Sequence, residues 1–164
     1  MKTLTITLHD TDNCGSSLQA FALQHFLLKN HIENEIIDYV PSYTQNNGNP
    51  LRTFIRKIVF FWPSYIRKKK FKQFIREHVK ITKKKYTNYK ELEQEDFYAD
   101  VFITGSDQLW NSMYGCGNDP AFYLKFVKHG KKISYAMSLG RAIIPNDNLS
   151  IVKKYVKNYS WISL

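Results

Sequence analysis

Residues 2–24, KTLTITLHDTDNCGSSLQAFALQ, decide the fold. KTLTITL is dense in Thr, Ile and Leu, which suit a buried, pleated strand, and HDTDNCG supplies turn chemistry immediately after it. From Ser16 or Ser17 the apolar residues Leu18, Phe21, Ala22, Leu23, Phe26 and Leu27 recur at helical spacing, and Lys29 and Asn30 stand where a helix stops. ENEIIDYV, residues 33–40, reads as a second strand. A strand, a short loop, a helix and another strand make a β-α-β unit, which implies a parallel sheet with right-handed crossovers.

Working outward, sheet character returns in ADVFITG (99–105), continues through AFYLKF (121–126) and recurs in KKISYAM (131–137), each followed by a polar loop. A helix is expected near 147–158, capped by Asn146 or Asp147, and WISL (161–164) reads as a strand just starting, as if the chain stopped in mid-architecture. Residues 51–95 contain no good strand. They carry the helical patterns LRTFIRKIVFF, SYIRKKKFKQFIREHV and YKELEQE, and read as a basic helical insertion. In the second pattern Ile66, Phe71, Phe74, Ile75 and Val79 form an apolar stripe, while Arg67, Lys68, Lys69, Lys70, Lys72 and Arg76 largely face elsewhere. The expected class is α/β: a Rossmann-like parallel sheet flanked by helices.

A chain of 164 residues that is 43% hydrophobic and 15% aromatic can build one real core, which excludes a disordered chain. Its net charge of +10 is local: fourteen Lys or Arg against one acid, Glu77, lie between Arg52 and Lys90, and the remainder is slightly acidic. The aromatics of that segment fall at core spacings and its cations lie away from the strand-end loops, so no nucleic-acid partner is expected. Segment 52–90 reads either as a solvated face or as a contact for something anionic, such as a lipid-linked diphosphate or the inner leaflet of a membrane. Cys14 and Cys116 lack zinc-site spacing, and no metal is expected. MKTLTITLHDTDN is no secretory segment, and IVFFWPSYI (58–66) is about half a membrane span and contains Pro63. A cytoplasmic location follows, with a peripheral position at the inner membrane if the basic segment touches lipid.

Three strand-end segments can carry chemistry. In HDTDNCGSSLQAFALQ (9–24) free backbone N–H groups and a helix dipole can meet an anion or a sugar hydroxyl, with Asp10, Asp12, Asn13, Gly15, Ser16 and Gln19 as candidates. The loop has neither dinucleotide-fingerprint nor Walker spacing, and an Asp and Asn cluster fits plain turn and capping chemistry as well. In ITGSDQLWN (103–111) Gly105 permits a sharp exit, Asp107 can transfer a proton, Ser106, Gln108 and Asn111 can bind hydroxyls, and Trp110 can stack on a sugar. Equally, Asp107 can cap a short helix and Trp110 can fill the core. In ISYAMSLGR (133–141) Ser138 and Arg141 are candidates, Arg141 as a partner for phosphate or carboxylate or as a plain surface cation. The five histidines show no ligand spacing, and His9 alone lies beside a candidate loop.

Taken together and in this order, DNCGSSLQAFALQHFL, IIDYVPSY, FITGSDQLWN and KKISYAMSLG resemble the polysaccharide pyruvyl transferase family, with Met137 where a small residue is usual. The resemblance implies the two-domain arrangement of GT-B glycosyltransferases, of which residues 1–164 form the N-terminal Rossmann-like half without a C-terminal domain. It implies transfer of an enolpyruvyl-derived group from phosphoenolpyruvate to a hydroxyl pair of a saccharide acceptor, as a pyruvate ketal, with no further cofactor. Asp107 is then the candidate catalytic carboxylate. The cations that clamp the donor are expected largely in the other half, supplied by a second domain or chain. Competing expectations are a sugar-nucleotide glycosyltransferase, since fold does not fix function, and a folded remnant without activity.

Overall fold

The computed structural model describes residues 1–11, 13–45, 65–141 and 144–163. The expected helix in LRTFIRKIVFF and most of the apolar run 58–66 lie outside the described residues. In chain order come β1 (Lys2–Ile6), α1 (Cys14–Lys29), β2 (Glu33–Tyr39), helical residues 65–78 (α2), β3 (Ile81–Tyr86), α3 (Tyr89–Gln94), β4 (Val101–Asp107), β5 (Lys131–Met137), α4 (Asn146–Val156) and β6 (Trp161–Ile162). The sheet has six strands in the order β3-β2-β1-β4-β5-β6, and every pairing is parallel. The Rossmann-like α/β class expected from residues 2–40 is therefore present.

This order places β1 beside β4, with successive strands running outward from that pair in both directions. Crossovers that diverge from one point leave a crevice outside the carboxyl ends of the two central strands, where ligands bind in open α/β sheets. The loops following β1 and β4 flank it.

Helix α1 starts at Cys14, with the Asn13 side chain accepting from Gly15 N at 2.9 Å, and ends at Lys29. Its inward face differs from the apolar spacing. Ser16, Ser17, Ala20, Leu23, Gln24 and Leu27 are buried, whereas Leu18 and Phe26 are exposed. The cause is a buried polar ladder: Gln24 donates to Asn34 O and Lys80 O and accepts from Lys80 N, and Asn34 donates to Thr3 and Thr5 Oγ1 at 2.8 Å each. Buried polar atoms that are fully paired are tolerated, so hydrogen bonds cover this face where apolar contact was expected.

Two further expectations are corrected. Segment 51–95 is not purely helical, because ITKKKY forms β3 at the sheet edge and α2 is its crossover. Ile81 and Tyr86 anchor the strand while Lys83, Lys84 and Lys85 stay exposed, as suits an edge that must resist further pairing. AFYLKF is not a strand either. Pro120–Tyr123 is a 3-10 turn capped by the Asp119 carboxylate, and Leu124 at φ +53° turns the chain away, so Phe122, Tyr123, Leu124 and Phe126 plug the core beneath β4. Helix α4 begins at Asn146, inside the helix instead of at its cap, because Pro145 holds the capping position and supplies no side-chain cap.

Among the described residues no helix is long and apolar enough to cross a membrane.

Six tyrosine phenols set an alkaline limit. Burial holds the phenols of Tyr39, Tyr43, Tyr86, Tyr89, Tyr123 and Tyr159 protonated well above their ordinary value of about 10, and Asp119 adds to the effect at Tyr39 and Tyr43. Below pH ~10 both folded and unfolded chains keep these protons; above it only the unfolded chain releases them, so stability falls as pH rises. In an alkaline titration the tyrosinate absorbance of this group is expected to rise together with loss of circular dichroism. Phenol ionisation well before unfolding would contradict it.

Candidate functional site

The crevice holds a cavity of about 570 Å³ lined from the loop after β1 (Leu8, Thr11), the start of α1 (Asn13, Ser16), the segment after β2 (Tyr43, Thr44) and the β4 exit (Asp107, Gln108, Cys116). Asp107 closes β4 at φ +139°, a conformation that costs a non-glycine residue ~1–3 kcal/mol and persists only where its surroundings impose it. Its Oδ2 accepts from Ser16 Oγ at 2.9 Å and its Oδ1 from Gln108 N at 2.7 Å. A carboxylate has about four acceptor positions, so acceptor capacity remains on both oxygens at the cavity wall.

Behind it Ser106 Oγ donates to Gln19 Oε1, Gln19 Nε2 donates to Thr7 Oγ1 at 2.9 Å, and Thr7 Oγ1 donates to Ser106 O at 3.2 Å. This closed ring ties β1, α1 and β4 together and fixes the peptide that leads into Asp107. Ser106 and Gln19 are thus brought to the site as its supports. Gly105 lies against β5, where a Cβ would meet Tyr135 O at 2.1 Å.

The other candidates separate. Asn13 caps α1 and Gly15 N is the donor it receives. Gln108 is exposed at the cavity, accepts from Asn111 Nδ2 at 3.2 Å and packs against Gly140. Asn111 is 2% exposed and holds the following turn by accepting from Met113 N. Trp110 is a correction to the stacking role: it is 1% exposed, donates Nε1 to Phe122 O at 3.0 Å and stacks on Tyr123, so it presents no face to a sugar. Ser138 caps its own turn by accepting from Gly140 N, and its backbone N donates to Asp107 O at 3.1 Å. Arg141 is exposed and Asp10 faces a neighbouring cavity, while Asp12 lies outside the described residues.

Sequence reasoning missed Tyr43, Asp119 and Cys116. Tyr39 and Tyr43 both donate to Asp119 Oδ2, at 2.5 and 2.7 Å, and so hold the cavity's outer wall. The signal available was PSY at the carboxyl end of β2, a strand end like the others. Cys116 is 4% exposed and burial pushes its thiol up to about 11, so it stays protonated and unreactive at neutral pH, whereas Cys14 is exposed. Iodoacetamide at pH 8 is expected to label Cys14 alone in the native chain and both thiols after unfolding, read by peptide mass spectrometry. Native labelling of Cys116 would contradict the burial. Among the described residues no cluster of three or more His, Cys, Asp or Glu could hold a metal.

A parallel sheet with a switch-point crevice, a carboxylate at positive φ on its wall and hydroxyl and amide supports behind it defines a Rossmann-like α/β domain with a polar cavity at its strand ends. The family model for polysaccharide pyruvyl transferase matches residues 13–164, and the chain belongs to that family of transferases. No curated protein and no solved structure matches it.

Proposed function

We propose that the crevice receives the acceptor of a pyruvyl transfer, in which phosphoenolpyruvate donates to a hydroxyl pair of a cell-surface polysaccharide or of its lipid-linked precursor. The observation that carries this reading is Asp107, held by Ser16 and Gln108 N at the crevice wall with acceptor capacity to spare. The reaction protonates the enol carbon, adds one sugar hydroxyl to the resulting cationic carbon, expels phosphate and closes the ketal with the second hydroxyl. Each attacking hydroxyl must lose a proton, and a carboxylate within hydrogen-bond reach can accept it. Asp107 is the catalytic residue on this reading.

The donor's phosphate and carboxylate need cations. A second Rossmann-like half, of the kind found in GT-B enzymes, brings most of them, and Arg141, exposed in the loop after β5, assists. The work is done in the cytoplasm, where the exposed cations of α2 and β3 meet the membrane surface or a lipid-linked acceptor.

Isothermal titration of phosphoenolpyruvate tests this, first with the chain alone and then with the C-terminal half of a full-length family member added. Binding in the combined sample, with a ketal formed on the acceptor by carbon NMR, is expected. Binding in neither sample would overturn the reading.

A further inference from the structure

A second cavity of about 450 Å³ lies beside the first, between α2 and the carboxyl ends of β1, β2 and β3. The loop after β1 separates the two, and Thr11 lines both; its Oγ1 is buried without a hydrogen-bond partner among the described residues. Lys68, Lys72 and Arg76 are spaced four apart on α2, so one helical face carries all three over this cavity, and Lys85 reaches it from β3.

The acids present do not balance these cations. Asp10 is shared between Lys85 at 3.5 Å and Lys72 at 4.0 Å. Asp38 is taken by His9, whose Nε2 lies 3.1 Å from its carboxylate while Nδ1 faces Thr7 O at 3.3 Å. Both nitrogens of a ring that is 2% exposed therefore face oxygen atoms, and Asp38 is engaged by His9 instead of by the cavity's lysines. Arg76 has no acidic partner among the described residues. With Lys68 set aside, the Asp10 carboxylate against Lys72, Lys85 and Arg76 leaves a surplus of two positive charges, which suits a doubly charged anion.

We propose that this cavity binds a diphosphate group, the link of a saccharide acceptor to its carrier, while the acceptor's sugar occupies the cavity at Asp107. The assignment to the acceptor rests on the pyruvyl-transfer reading. In phosphoenolpyruvate the phosphate is joined through one oxygen to the carbon that the sugar hydroxyl attacks, so the donor's phosphate must lie in the Asp107 cavity with that carbon. A cationic cavity across the Leu8–Thr11 loop is placed for the charged end of a longer molecule whose sugar reaches over the loop.

The test is titration of the chain at low salt with inorganic pyrophosphate, farnesyl diphosphate and orthophosphate. Saturable binding at one site by both diphosphates, tighter than orthophosphate, is expected. Lys72→Gln and Arg76→Gln, both at exposed positions, are expected to weaken it by about tenfold or more each, and Lys90→Gln, outside the cavity, to leave it unchanged. Melting temperatures of the variants confirm folding. Absence of saturable pyrophosphate binding, orthophosphate binding as tightly, or indifference to Lys72→Gln and Arg76→Gln would each overturn the proposal. Farnesyl diphosphate much weaker than pyrophosphate would overturn the carrier-linked assignment. Saturable pyrophosphate binding by the parent chain that forms no ketal even with the completing C-terminal half present would sink the pyruvyl-transfer reading and keep the diphosphate site.

Discussion

Asp107→Asn is expected to slow ketal formation by ~10²–10⁴-fold, the range typical of losing a positioned proton-transfer group, while leaving the fold intact. The amide oxygen can still accept from Gln108 N, and its NH₂ can donate to Ser16 Oγ, which then acts as acceptor in place of donor. Backbone strain at φ +139° is the same for both side chains, so the comparison isolates the carboxylate. Asp107→Gly separates strain from chemistry. Glycine adopts this conformation freely, so the variant should melt higher, by ~2–4 °C for each kcal/mol relieved, and be inactive. A carboxylate kept in a conformation that costs stability is what a functional demand on Asp107 would produce. Activity within a few fold of the parent in Asp107→Asn, measured with the completing half present, would remove Asp107 from the chemistry.

What the sequence disclosed follows from which residues report their own environment. KTLTITL, ENEIIDYV and ADVFITG are read correctly because central parallel strands are buried on both faces and show it as apolar and β-branched runs. Their order around a β-α-β unit then gives the switch point, and with it the loop carrying Asp107. AFYLKF misleads for the same reason, since a short apolar run signals burial without saying whether strand or turn is buried. Only the Asp119 cap and Pro120 mark it as a turn. ITKKKY is hidden because an edge strand faces water on much of its surface and its three lysines outweigh Ile81 and Tyr86 in any local pattern. The buried side of α1 is hidden differently: Gln24 is paid for by Asn34 and Lys80, residues far away in sequence. Trp110 illustrates the limit at the site itself. A tryptophan at a strand end fits a sugar platform or a core plug equally, and only the Nε1 bond to Phe122 O and the Tyr123 stack decide for the core. Tyr43 enters the cavity wall through Asp119, a partner no local pattern connects to it.

Gly105→Ala is expected to prevent stable folding. A Cβ at this position would stand 2.1 Å from Tyr135 O and 3.1 Å from its carbonyl carbon, both backbone atoms of β5, so no side chain can swing aside to make room. Gly105 is paired with Tyr135 in the register that joins β4 to β5, and β5 in turn carries β6. Relief would have to come from parting the two strands, and φ +122° penalises alanine independently of the clash. A loss beyond ~4–5 kcal/mol, the upper tail for point substitutions, consumes much or all of the ~5–15 kcal/mol that holds a typical domain folded. Any soluble product should melt at least ~8–20 °C lower. Gly15→Ala supplies the contrast: in the first turn of α1 its Cβ would be 3.3 Å from Asn13 Oδ1, and alanine gains up to ~1 kcal/mol of helix preference, so the net change should stay small. Thermal melts of both variants against the parent check the pair. A Gly105→Ala chain melting within a few degrees of the parent would show that β4 and β5 part more easily than their pairing implies, and would remove the rigid β4 exit on which the placement of Asp107 depends.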